Sequence, residues 1–78
     1  MNKLRRADID RVILKLDSLR EEIKVIAHEE RTAFDNLSEG LQSSERGEAM
    51  DKTATDLEQT ADAIAAAIHK LIRAKEAV

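Results

Sequence analysis

Cysteine and proline are absent from the chain, glycine occurs twice, and Phe34 is the lone aromatic residue. Without cysteine there is no disulfide and no thiolate ligand, which excludes disulfide scaffolds and cysteine-based zinc sites. Without proline nothing forces a break in a helix. Scarce aromatic residues argue against strands, which favour aromatic and β-branched side chains. No apolar run approaches the ~18–20 residues of a transmembrane helix. Asp8, Asp10 and Arg11 interrupt the apolar stretch that a signal peptide needs. The 78 residues therefore predict one soluble, cytoplasmic domain with no membrane association, too short to bury a large core by itself.

What remains is Ala, Leu, Ile, Glu, Lys, Arg and Asp, the composition of long helices. Apolar residues in the first half recur at spacings of 3 and 4: Ile9, Val12, Leu16, Leu19, Ile23, Ile26, then Ala33 and Leu37, broken only by Glu30. Ile13, Ala27 and Phe34 widen this stripe. In the second half Met50, Leu57, Ile64, Leu71 and Val78 are seven apart, with Ala54, Ala61 and Ile68 between them. Both patterns are coiled-coil stripes. They predict helices over about 3–36 and 44–77, separated by a turn with a short helical segment over 37–43.

The segment between them collects the least helical residues. Asn36 suits the left-handed position that often ends a helix. Ser38 can cap one short turn, and Ser43 or Ser44 can cap the second helix, with Glu45 and Glu48 near its positive end. Gly40 and Gly47 are expected where backbones approach closely. Phe34, Leu37, Leu41 and Met50 are expected to plug the end of the seam, and Glu30 to bond turn backbone groups or Thr53. The fold class is thus all-α, a coiled-coil-like antiparallel two-helix hairpin. A turn centred near 41–42 pairs Ala33 with Met50, Ile26 with Leu57, Leu19 with Ile64 and Val12 with Leu71. One continuous helix in a parallel coiled coil is the rival, disfavoured by the two glycines and the Asp35–Ser38 breaker.

A single seam leaves each helix largely in water, and the second helix carries a flanking stripe of Ala65, Ile68 and Ile72. This stripe is expected to be a dimer interface, joining two hairpins into a four-helix bundle, a homodimer or higher homo-oligomer. Charge is segregated along the chain. Residues 1–24 hold seven Lys/Arg against five Asp/Glu, residues 25–62 three against ten, and residues 63–78 three against one. The folded hairpin then has a basic open end and an acidic turn end. Glu39, Glu45, Glu48, Asp51 and Phe34 at the turn are the candidate partner-binding residues for a basic protein groove. Direct nucleic-acid binding is not expected, because net charge is −3 and no aromatic platform exists for base stacking. His28-Glu29-Glu30 lacks the second His of a zincin helix, and no Glu precedes a His by three residues. No catalytic, metal or cofactor site is read from the sequence, and the chain is not expected to be an enzyme.

The run EERTAFDNLSEGLQSSERGE resembles a block in short helical-hairpin proteins of bacteriophages and other mobile elements. The resemblance rests on Phe34, Asp35, Asn36, Leu37, Glu39, Leu41, Gln42, Ser44, Glu45 and Gly47, with Ser38 where that pattern usually has proline. It covers about twenty residues, and the helical flanks match only in character. It implies a phage accessory role without catalytic residues. Such small proteins often act in counter-defence, by binding a host immune complex such as a CRISPR effector or by sequestering a signalling molecule. A structural oligomerisation module and a small-ligand sponge are the alternatives.

Overall fold

The computed structural model describes residues 2–78. It is a hairpin of two long helices, α1 (Lys3–Asp35) and α3 (Glu45–Ala77), joined through a single-turn helix α2 (Glu39–Gln42). The molecule is a rod of 60 × 15 × 12 Å. Its radius of gyration is 17.5 Å, against about 11–12 Å for a globular chain of this length.

Each helix starts on a side-chain cap. The Asn2 side chain accepts from the Arg5 amide at 2.9 Å. Ser38 caps α2 and Ser44 caps α3, where its Oγ accepts from the Gly47 amide at 3.1 Å. Glu45 and Glu48 occupy the first turn of α3, as a helix N-terminus favours. The last turn of α1 is closed from outside: the Gln42 side-chain amide donates to the Phe34 carbonyl at 3.1 Å. Asn36 ends α1 in the right-handed region, at φ −81°, and no described residue has positive φ. The left-handed stop expected there is not used, because Gln42 and the Asn36 and Leu37 amides already satisfy the α1 terminus.

The two glycines differ. Gly47 is buried, and a Cβ on it would overlap the Leu41 carbonyl oxygen and lie 2.5 Å from that of Gln42. Only glycine lets α3 start directly beneath α2. Gly40 is exposed, and a Cβ there would meet nothing within 4 Å, contrary to the expectation of crowding. Leu41 is also exposed, so the seam is closed by half-buried Phe34, Leu37 and Met50 without it.

The seam itself departs from the expected pairing. On α1 the half-buried and buried positions are Ile9, Ile13, Leu16, Arg20, Ile23, Ala27, Glu30 and Phe34, together with Arg31 at the seam's margin, and Leu37 continues them into the turn. Val12, Leu19 and Ile26, expected at its centre, are 43%, 49% and 52% exposed. The seam runs along the row 13/20/27/34, not 12/19/26/33. The physical reason is size. Among the described residues the only buried apolar side chains are Ala27, Ala54 and Ala61, and Gly47, buried against the α2 backbone, continues the α3 row of small residues. Small residues permit close approach of the helices, and larger ones are displaced to the edges.

The contrast between the glycines is testable by chemical denaturation. Gly47→Ala should destabilise by ~1–3 kcal/mol, the usual cost of overpacking. Gly40→Ala should stabilise by up to ~1 kcal/mol, since it lies in a helix with open space around it. Equal midpoints for the two variants would refute the close contact between α2 and α3.

Candidate functional site

Helical geometry turns by ~100° per residue, which gives the hairpin two distinct edges. On one edge lie positions 10, 17, 24 and 31 of α1 with 51, 58, 65 and 72 of α3. On the other lie 12, 19, 26 and 33 with 53, 60, 67 and 74. The ion pairs fix which rows face each other.

The first edge is polar. Arg31 reaches across to Asp51 at 2.6 Å, Glu58 at 3.2 Å and the Thr55 hydroxyl at 3.2 Å. Its guanidinium also stands 5.8 Å from the centroid of the Phe34 ring. The hydrogen bonds it donates to Asp51 and then Glu58 raise its pKa further, so it stays cationic throughout the folded range. Lys75 closes the open end on Asp10 at 2.8 Å. Between these latches Arg20 lies in the seam row. It donates to Asp17 at 2.9 Å and approaches Glu21 at 3.2 Å, while its Nε is buried without a partner. Its stem packs in the seam while its head reaches water, as long cationic side chains do. An open groove of about 350 Å³ is lined by Arg20, Lys24, His28, Arg31, Glu58 and Asp62 over the alanine row. Three cations on α1, Arg20, Lys24 and Arg31, face two carboxylates on α3, Glu58 and Asp62, so the groove offers a ligand only a small positive excess. His28 and His69 are exposed and line different grooves. Among the described residues no group of three or more His, Asp or Glu is placed to hold a metal.

The second edge is uncharged over most of its length. On α1 it presents Val12, Leu19 and Ile26 beside half-buried Ile9, Leu16 and Ile23. On α3 it presents Thr53, Thr60, Ala67 and Ala74 beside half-buried Met50, Leu57, Ile64 and Leu71. The Thr60 hydroxyl donates to the Asp56 carbonyl at 2.7 Å, so its polar atom is satisfied within its own helix. Charge enters only near the ends, at Arg5, Glu30 and Arg46. Leu4, Leu14 and Val25 are exposed singly on outer faces, an ordinary occurrence.

The residues singled out in the sequence fall in three places. Asp51 and Phe34 belong to the Arg31 latch. Glu39, Glu45 and Glu48 are exposed in the first turns of α2 and α3. Ala65 and Ile68 are half-buried, and both line a groove with Asp17, Arg20 and His69 on the polar edge. Ile72, at 36% exposed, follows Ala65 by two turns on that edge. The charge-free surface of the molecule is therefore not the Ala65/Ile72 flank but the Val12/Leu19/Ile26 edge. Arg20 and Arg31 were missed because a cation inside a heptad stripe reads as surface. Glu30, expected to bond Thr53 or the turn, makes neither bond, and it is Arg31 that spans the helices.

No protein-family model, curated protein or solved structure matches the chain. No described helix is long and apolar enough to cross a membrane.

The Arg31 latch predicts a stability signature. Arg31→Met should lower the melting temperature, and Arg31→Lys should recover only part of the loss, because an ammonium cannot make the forked contact to Asp51 and Glu58. The loss should shrink in ~1 M salt, where the Debye length is ~3 Å. Thermal melts at two salt concentrations check both; identical melts for all three chains would show that the latch contributes nothing.

Proposed function

We propose that the chain is a non-enzymatic binding protein that works through the uncharged edge of its hairpin, self-associated into a four-helix bundle. One observation carries this reading: Val12, Leu19 and Ile26 stand half-exposed in a row, on an edge without charge from Ile9 to Ile26. Contiguous apolar surface of this kind marks an interaction site. The total area supports it. The chain exposes 5767 Å². A globular monomer of 8.7 kDa exposes about 4,700 Å². The excess, roughly 1,000 Å², is close to the ~800 Å² that each partner contributes to a standard interface.

Catalysis finds little support beside this. The polar edge consists mainly of cations paired with carboxylates, and its two histidines, His28 and His69, line separate grooves. The resemblance of the turn block to phage and mobile-element hairpins suggests an accessory role, counter-defence against a host immune complex being its sharper form. The acidic turn, with Glu39, Glu45 and Glu48 exposed, is the surface a basic host protein would meet. A structural assembly module is the second reading, favoured by the 60 Å length of the rod, which suits lateral packing.

Sedimentation of single variants tests the edge. Leu19→Glu and Ile26→Glu should each shift the mass toward the monomer and lower the melting temperature. Ile72→Glu, on the polar edge, should leave association nearly unchanged. The opposite ranking would return the interface to the Ala65/Ile68/Ile72 flank.

A further inference from the structure

Building on the edge just proposed as the binding surface, we infer that its occupant is a second copy of the chain, docked end for end with Arg5 of each copy against Glu30 of the other. Three observations converge on this arrangement.

The first is where charge interrupts the edge. Along α1 the edge reads Arg5, Ile9, Val12, Leu16, Leu19, Ile23, Ile26, Glu30. A cation stands at one end, an anion at the other, and only apolar residues lie between. Neither the Arg5 nor the Glu30 side chain forms an ion pair among the described residues. Glu30 is moreover half-buried, so a carboxylate on the apolar edge lacks a cation. Reversing a second α1 over the first about a point midway between residues 5 and 30 brings Arg5 onto Glu30 of the partner twice. The same operation sets Ile9 against Ile26 of the partner, Val12 against Ile23 of the partner and Leu16 against Leu19 of the partner. Apolar meets apolar at every step.

The second observation is α3. The same two-fold axis crosses the hairpin perpendicular to its length, so α3 faces its own copy. The crossing falls near Ala67, with Thr60 against Ala74 of the partner. These are the small residues of the edge, and small residues let backbones approach, as Ala54 and Ala61 do within the hairpin.

The third is the long-range charge. Residues 25–62, around the turn, hold three Lys/Arg against ten Asp/Glu, and both terminal segments are net positive. End-for-end docking lays each acidic turn against a basic open end. The other two-fold, along the rod, would pack α1 against α3 of the partner. It would put two acidic turns side by side and leave Glu30 facing Thr53 and Leu57 of the partner, without a cation. Arg46 lies at the tip of the turn, past the first turn of the partner's α1, and enters neither pairing.

Charge exchange and cysteine cross-linking test this together, with helicity followed by circular dichroism to confirm folding. Glu30→Arg and Arg5→Glu should each raise the dimer dissociation constant roughly tenfold, since each acts at two symmetric sites. The Arg5→Glu, Glu30→Arg double variant should recover most of that loss. The chain has no cysteine, so Ala67→Cys gives an unambiguous probe. It should form a disulfide-linked dimer under mild oxidation, and Thr53→Cys should not. Failure of the double variant to recover, with Ala67→Cys unlinked and Leu19→Glu still dissociating the wild-type dimer, overturns the end-for-end arrangement and leaves the edge as the interface. A wild-type chain that stays monomeric at hundreds of micromolar overturns the second copy as the occupant.

Discussion

The close approach of two helix backbones along a row of small residues governs this structure. Among the described residues Ala27, Ala54, Ala61 and Gly47 are the buried positions, and no large side chain is fully buried. Helices this close leave no central space for Leu or Ile. Those side chains move to the rims, where each is covered on one side only. The half-burial of Leu16, Ile23, Leu57, Ile64 and Leu71 follows from this geometry. So does the exposure of Val12, Leu19 and Ile26, one row further out.

A core of alanines contributes little hydrophobic free energy, since burial scales with apolar area. The hairpin therefore leans on directed contacts at its ends. Ser44 accepts from the Gly47 amide and donates to the Leu41 carbonyl, which sets where α3 begins. Arg31 and Lys75 then hold the helices in register, one near the turn and one at the open end. Both latches lie on the same edge. That placement leaves the opposite edge without polar contacts across the helices, so its apolar rims stay uncovered. The asymmetry of the molecule is a consequence of how its register is held.

The helices, the cap at Ser38 and the turn between them were legible, because propensity, capping and periodicity agree there, and of the two serines offered as the cap of α3 it is Ser44 that serves. The choice of seam was not. A helix offers two neighbouring rows beside Ile9, Leu16 and Ile23: Val12, Leu19 and Ile26 to one side, Ile13, Arg20 and Ala27 to the other. Periodicity favours the more apolar row. Packing favours the row with the smaller residue at the closest contact, Ala27 against Ala54 and Ala61, and accepts Arg20 because its head can reach Asp17 and water. Size at a helix contact depends on the partner helix, which a one-helix pattern does not contain. Gly40 and Asn36 were misread for a related reason. Each has a strong local tendency, but the α2 turn uses right-handed backbone throughout and needs a glycine only at position 47.

The turn block singled out in the sequence also acquires a physical meaning. Gln42 bonds the Phe34 carbonyl, Ser44 caps α3, Gly47 admits the α2 backbone, and Leu37 and Phe34 close the seam. Most of the residues singled out in that block thus build the turn, and none of them lies on the uncharged edge. A shared block of this kind would report a shared way of reversing the chain between two long helices. It would say little about what the helices bind, because the edge is written by residues from Ile9 to Ile26 and from Met50 to Ala74, outside or at the margin of the block. Two hairpins with the same turn can therefore carry different partners, and the determinants to compare between them are the rows 12/19/26 and 60/67/74, with Arg5 and Glu30 at their ends.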